Sequence, residues 1–219
     1  MSNLVLYLAR HGESVSNFKK IFIGRSEDPE LTEKGIQQAR SLAKSLQGKK
    51  ISAIYASALA RARQTAEIVA GELKLPVYPT KDLIEVDLGL LDGHDTADPA
   101  FFSVYENMVT NWELGYPQVC IREGESLIDV EIRLKRFLNA HIINSMREGP
   151  ILLVGHAILW MCFIWAFCEN RPSRINDGFM NKTHLSTITK NGRGFMLAKA
   201  NLDHEEIKIL EKSPKIFPD

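Results

Sequence analysis

An α/β fold, a three-layer sandwich of helices around a mostly parallel sheet, is what this sequence predicts, and three observations carry that prediction. Apolar runs without polar alternation, at residues 4–9 and again at 151–155, are what strands covered on both faces require. Between such runs lie segments whose apolar residues recur at helical spacing. Strand-like and helix-like segments alternate along the chain, which is the order that builds a parallel sheet.

The first run, Leu4-Val5-Leu6-Tyr7-Leu8-Ala9, stops abruptly at Arg10-His11-Gly12-Glu13. Gly12 permits a tight turn there, and Ser14 or Ser16 suits the cap of a following helical turn. A helix is expected from Thr32, its N-cap, through Leu46. Its buried face is Ile36, Ala39, Leu42, Ala43 and Leu46, and Gly48 ends it. Residues 51–55 read as a second strand, 58–73 as a long helix and 76–78 as a short third strand. Residues 83–95 form a loop in which Glu85 and Asp87 sit among apolar residues. Asp92, His94, Asp95 and Asp98 match no fixed ligand spacing, so a polar loop is preferred to a metal site. A helix over 99–114 carries Phe101, Phe102, Tyr105, Met108 and Trp112, suited to core or lid packing. Ser126 caps the next helix, whose stripe is Leu127, Val130, Leu134, Phe137 and Leu138; His141 on it is structural or exposed. Residues 183–189 and 195–200, joined through 191–194, read as a closing hairpin, and a charged tail follows from Asp203.

The run at 151–168 is long enough to span a membrane. Gly155-His156 interrupts it, however, and β-rich Ile-Leu-Leu-Val precedes a helix-like stretch. A buried strand, a turn and a buried helix from Ala157 are therefore expected. The 219 residues are read as a single domain, 1–219, with no repeat or linker. Twenty-seven basic residues balance twenty-seven acidic ones, which argues against nucleic-acid or membrane partners and makes any anion binding local. The N-terminus lacks the pattern of a signal peptide, and three cysteines at no zinc spacing suit free thiols in a reducing compartment. A cytoplasmic location is expected. Oligomeric state is open, with a homodimer one outcome.

Arg10, His11, Arg61, Glu85 and His156 fall at strand ends or helix starts, where ligands of α/β sheets sit. Arg63 reads instead as a solvated helix face. Two guanidiniums offer bidentate donors to a phosphate. A histidine beside them is held neutral and keeps a lone pair for attack on phosphorus. A backbone carbonyl bonded to its other nitrogen would fix that tautomer. Glu85 is placed to protonate the leaving oxygen, and His156 to donate to the equatorial oxygens.

Arg10-His11-Gly12-Glu13 with Asn17 resembles the signature of the histidine phosphatase superfamily, in its phosphoglycerate mutase-like branch. Gly24-Arg25 with Leu31-Thr32 and Gly35, the Ser57–Ala66 block, Leu83-x-Glu85, Gly124-Glu125-Ser126 with Arg133, and Leu153-Val154-Gly155-His156 follow in the family's order. The resemblance covers roughly residues 4–200. It implies a phosphoglycerate mutase-like fold and a small phosphorylated substrate, with neither metal nor other cofactor. In it His11 is the phosphorylated nucleophile, Arg10, Arg61 and His156 form the phosphate pocket, and Glu85 is the acid and then the base. Asn17 is a supporting phosphate contact, and Gly24 joins the substrate-binding residues. Ala157 and the Leu91-Asp92-Gly93 run depart from the usual pattern. The compact, aromatic 85–124 segment, short of basic residues before Arg122, favours a phosphatase over a phosphoglycerate mutase. A non-catalytic binding module ranks last.

Overall fold

A computed structural model describes residues 4–143, 149–190 and 194–210. Six strands form one sheet: β1 (Leu4–Arg10), β2 (Ala53–Ser57), β3 (Val77–Thr80), β4 (Ile151–Gly155), β5 (Leu185–Lys190) and β6 (Phe195–Leu202). Their order is β3-β2-β4-β1-β5-β6. The first three contacts in that order are parallel, and β5 runs antiparallel to both of its neighbours. The expected mostly parallel sheet is therefore present.

Among the described residues, seven α-helices flank it: α1 (Val15–Phe18), α2 (Glu33–Ser45), α3 (Ala60–Leu73), α4 (Pro99–Glu113), α5 (Leu127–Phe137), α6 (Ala157–Phe167) and α7 (His204–Ile209). Alternate residues of the buried strands feed two separate cores. Leu6, Leu8, Ala53 and Tyr55 pack with the aromatic faces of α4, α5 and α6. Val5, Tyr7, Ala9 and Ile54 pack with the small residues of α2, α3 and α7. Those two cores are what make the architecture three-layered.

The caps read from sequence are in place. Thr32 accepts the Gly35 N–H, and Ser126 forms a capping box with Asp129. Ser14, rather than Ser16, caps α1. Residues 151–167 divide as expected into β4 and α6, and α6 is buried almost all round because no polar residue interrupts it. Among the described residues, no helix is long and apolar enough to cross a membrane. Strand boundaries shift: β2 is Ala53–Ser57 rather than 51–55 and β3 is Val77–Thr80 rather than 76–78, because ladder partners rather than apolar content set strand ends. The turn joining β5 to β6 lies mostly outside the described residues. Cys162 and Cys168 are buried free thiols, whereas Cys120 is exposed.

Candidate active site

Parallel strands align their carboxyl ends along one edge of the sheet, and that edge collects the functional side chains. Arg10 ends β1, with His11 next to it. Ser57 ends β2, and Arg61 lies in the first turn of α3. Glu85 follows the 3-10 turn Lys81–Leu83 after β3, and His156 is the N-cap of α6 after β4. Arg10, His11, Asn17, Arg61 and Glu85 line a single cavity of about 530 Å³; His156, fully buried, is not on its wall.

His11 is 3% exposed, and its Nδ1 lies 2.6 Å from the Gly12 carbonyl. That carbonyl can only accept, so Nδ1 carries the proton and Nε2 keeps its lone pair. Burial, then Arg61 and Arg10, hold the His11 pKa well below its ordinary value. The neutral imidazole expected from the sequence, with its tautomer set by a backbone carbonyl, is thus present. The loop is pinned from two sides. Gly12 N–H donates to Thr65 Oγ1. A Cβ on Gly12 would stand 2.5 Å from the Gly35 carbonyl oxygen, so only glycine lets α2 approach this closely.

Arg61 is 2% exposed and donates from Nη2 to the Gly24 carbonyl at 3.0 Å. Arg10 donates from Nη1 to the Met180 carbonyl at 2.9 Å, and burial lowers its pKa to about 10. Arg10 Nε and Arg61 Nη1 are buried without a hydrogen-bond partner among the described residues, although Arg61 Nη1 has an ion-pair contact with Asp28 Oδ1 at 4.0 Å. Buried donors of charged groups are rarely left unmatched, and these two border the cavity beside His11. Asp28 serves α3 by accepting the Ala60 N–H, replacing the cap that Leu59 cannot provide.

His156 is fully buried, its ring centroid 5.1 Å from that of His11. Its Nε2 shares a 2.7 Å hydrogen bond with Ser57 Oγ, and its Nδ1 has no partner among the described residues. Burial and then Arg61 keep this ring neutral as well. Glu85 is 5% exposed, and burial raises its pKa although Arg61 and backbone donors pull the other way. Its Oε1 accepts from Val86 N and Leu159 N, and its Oε2 accepts from Ile158 N at 3.3 Å. Behind it, Arg25 Nε and Arg133 Nη2 donate to the Glu85 carbonyl at 2.8 and 3.4 Å. Both guanidiniums are paired with the Glu125 carboxylate, at 2.5 Å for Arg25 and 3.0 Å for Arg133.

One expectation needs correction. Gly24 is absent from the cavity wall: its N–H donates to Asp92 and its carbonyl accepts from Arg61, so it positions rather than faces the cleft. Asn17 lines the cavity, but its Oδ1 accepts the Ser14 N–H and closes the α1 capping box. Of the aromatic residues expected to serve core or lid packing, Phe102 and Tyr105 line the cleft. Phe101 stacks on His94, Trp112 is core, and exposed Arg122 pairs with Glu123. Asp92 accepts the N–H groups of Gly24, Arg25 and Ser26, which gives that acidic residue a backbone task. Sequence reasoning missed Ser57 as the partner of His156. It also missed Phe179, whose ring lies 5.0 Å from the Arg10 guanidinium.

Residues 6–203 match the histidine phosphatase superfamily (branch 1). The chain is 36% identical over 160 residues to a 2,3-bisphosphoglycerate-dependent phosphoglycerate mutase of Bradyrhizobium diazoefficiens, covering 71% of this chain and 76% of that protein. It is 37% identical over 156 residues to an enzyme of the same name from Methylobacterium sp. (strain 4-46), covering 69% and 74%. Among solved structures, phosphoserine phosphatase from Entamoeba histolytica in complex with 3-phosphoglyceric acid superposes with a TM-score of 0.75. Its identity is 26%, and 92% of this chain and 98% of that one are covered. This chain belongs to the histidine phosphatase superfamily, and its fold is that of the phosphoglycerate mutase-like members.

Proposed function

We propose that this protein is a phosphomonoester phosphatase working through a phosphohistidine on His11. The observation that carries the reading is the Nδ1–H···O=C bond to Gly12, which leaves the His11 lone pair facing a cavity bordered by unmatched guanidinium donors. His11 Nε2 attacks phosphorus, the ester P–O bond breaks, and the leaving oxygen takes the proton of Glu85. Arg10, Arg61 and His156 hold the equatorial oxygens, where transition-state charge accumulates. Water then attacks the phosphohistidine and gives its proton to Glu85. The P–N bond breaks, and inorganic phosphate leaves behind a neutral His11. No step calls for a metal.

Phosphoglycerate mutase is the second reading, because relatives at 36–37% identity carry that name. A mutase must hold a carboxylate as well as a phosphate, and the cations on this cavity wall are Arg10 and Arg61, both at the phosphate end. That shortage of positive charge favours the phosphatase. The test is release of phosphate from 4-nitrophenyl phosphate without added metal, together with trapping of an alkali-stable, acid-labile phosphoprotein. Activity retained by His11→Ala would refute the nucleophile. Conversion of 3-phosphoglycerate to its isomer faster than phosphate release would establish the mutase instead.

A further inference from the structure

The groups that would grip the phosphoryl make up only part of the cleft lining, and the rest is made of different material. Leu88 and Met161, each 1% exposed, form part of it, and Phe22 adds a partly buried ring. Phe102 and Phe179 also line it while remaining 41% and 46% exposed. Aromatic rings left wet along a cavity wall are surface that a ligand would cover. The polar groups of this half are neutral. Tyr105 donates its hydroxyl to Asn176 Oδ1 at 3.1 Å, leaving the Asn176 amide N–H groups as donors, and Thr96 supplies a hydroxyl. Among the described residues, the charged or titratable groups on the wall besides Tyr105 are Arg10, His11, Arg61 and Glu85, of which Arg10 sits 5.0 Å from the Phe179 ring.

Resting on the phosphatase reading, we propose that the alcohol carried by the phosphate is neutral and mainly apolar, bound between Phe102, Met161 and Phe179. A carboxylate there would lose its hydration beside Glu85 in the same cavity, and the cation nearest to it, Arg10 against the Phe179 ring, is already committed to the phosphoryl group in this reading. An aliphatic or aromatic group would instead bury surface against these side chains. A neutral oxygen on it would accept from the Asn176 amide, and a hydroxyl could donate to Thr96 Oγ1, whose own proton goes to the Lys20 carbonyl.

The test uses n-alkyl phosphates from methyl to hexyl, whose leaving groups beyond the first members differ little in basicity, with 3-phosphoglycerate and O-phosphoserine as acidic comparators. The expected kcat/KM rises about threefold to fourfold per methylene until the wall is covered. Propyl phosphate should exceed both acidic esters at least tenfold. Phe102→Arg, at a position exposed enough to tolerate it, should shrink that preference at least fivefold by supplying an uncommitted cation. A flat alkyl series, or acidic esters turned over as well as propyl phosphate, overturns the apolar subsite while leaving the phosphatase intact. Failure to release phosphate from every ester would instead remove the phosphatase reading itself.

Discussion

The two ends of the cleft are built by different means. At the reacting end four of the five groups are held by main chain: His11 by the Gly12 carbonyl, Arg61 by that of Gly24, Arg10 by that of Met180, Glu85 by three N–H groups; His156 bonds the Ser57 hydroxyl instead. At the far end Phe22, Phe102 and Met161 meet the cavity as packed side chains, and Phe102 is barely embedded. Main-chain anchors tie chemistry to the fold, so its geometry cannot drift without unfolding. Side-chain walls can be exchanged one at a time. The contrast teaches that reactivity and selectivity here are separable by mutation.

The sharpest way to break the comparison is at the nucleophile. His11→Ala should lower phosphate release to below about one part in ten thousand, the scale of nucleophile removals, with any substrate. Glu85→Gln should slow alkyl esters by about a hundredfold to ten-thousandfold and aryl esters less, since a good leaving group needs little help from an acid. Equal losses for both would remove Glu85 from the acid role.

The supporting shell should show in stability. Glu125→Ala strands the Arg25 and Arg133 guanidiniums, the latter 7% exposed, and should cost about 3–5 kcal/mol in a guanidinium-chloride unfolding series. Acid should expose the buried rings. His11 and His156 have folded pKa values well below 6.5, so below about pH 6.5 the unfolded chain takes up protons that the folded one refuses. Stability is then lost as pH falls, by up to roughly 1.4 kcal/mol per pH unit for each histidine. Glu85, raised above 4.5, opposes this, because its contribution is present at low pH and lost as pH rises through its folded value. Two rings against one carboxyl leave a net loss on acidification. Denaturation midpoints between pH 5 and 7 check it, and His156→Gln should flatten the slope. The smallest effect belongs to the far wall: Phe102→Ala should shift stability by less than about 1 kcal/mol while changing KM among esters.

Much of this was readable beforehand, for local reasons. Residues 4–10 and 151–155 announce buried strands by unbroken apolar content, and Thr32 and Ser126 announce helix starts by cap chemistry. Chemistry-bearing side chains at strand ends were legible for the same reason. What stayed hidden depends on approach between distant segments. Nothing near Gly35 says that its carbonyl will meet Gly12, nor does anything near Ser57 name His156. Asp92 looked like loop polarity because its three partners lie 66 to 68 positions away. Helix α7 escaped because it buries only Ile207 and opens on a short charged run that reads as tail.

The acceptor at position 85 serves two masters. The N–H groups of residues 158 and 159 open α6 at a point sealed from water, and a helix cannot satisfy its own first donors. Replacing Glu85 by alanine would therefore orphan them, so lost turnover in that variant would mix missing acid with a disturbed helix. Glutamine, which retains an oxygen there, is the informative substitution. By the same logic, a descendant of this chain that abandoned catalysis would still be under pressure to keep an oxygen at 85, so retention of that residue alone says little about whether a relative is active.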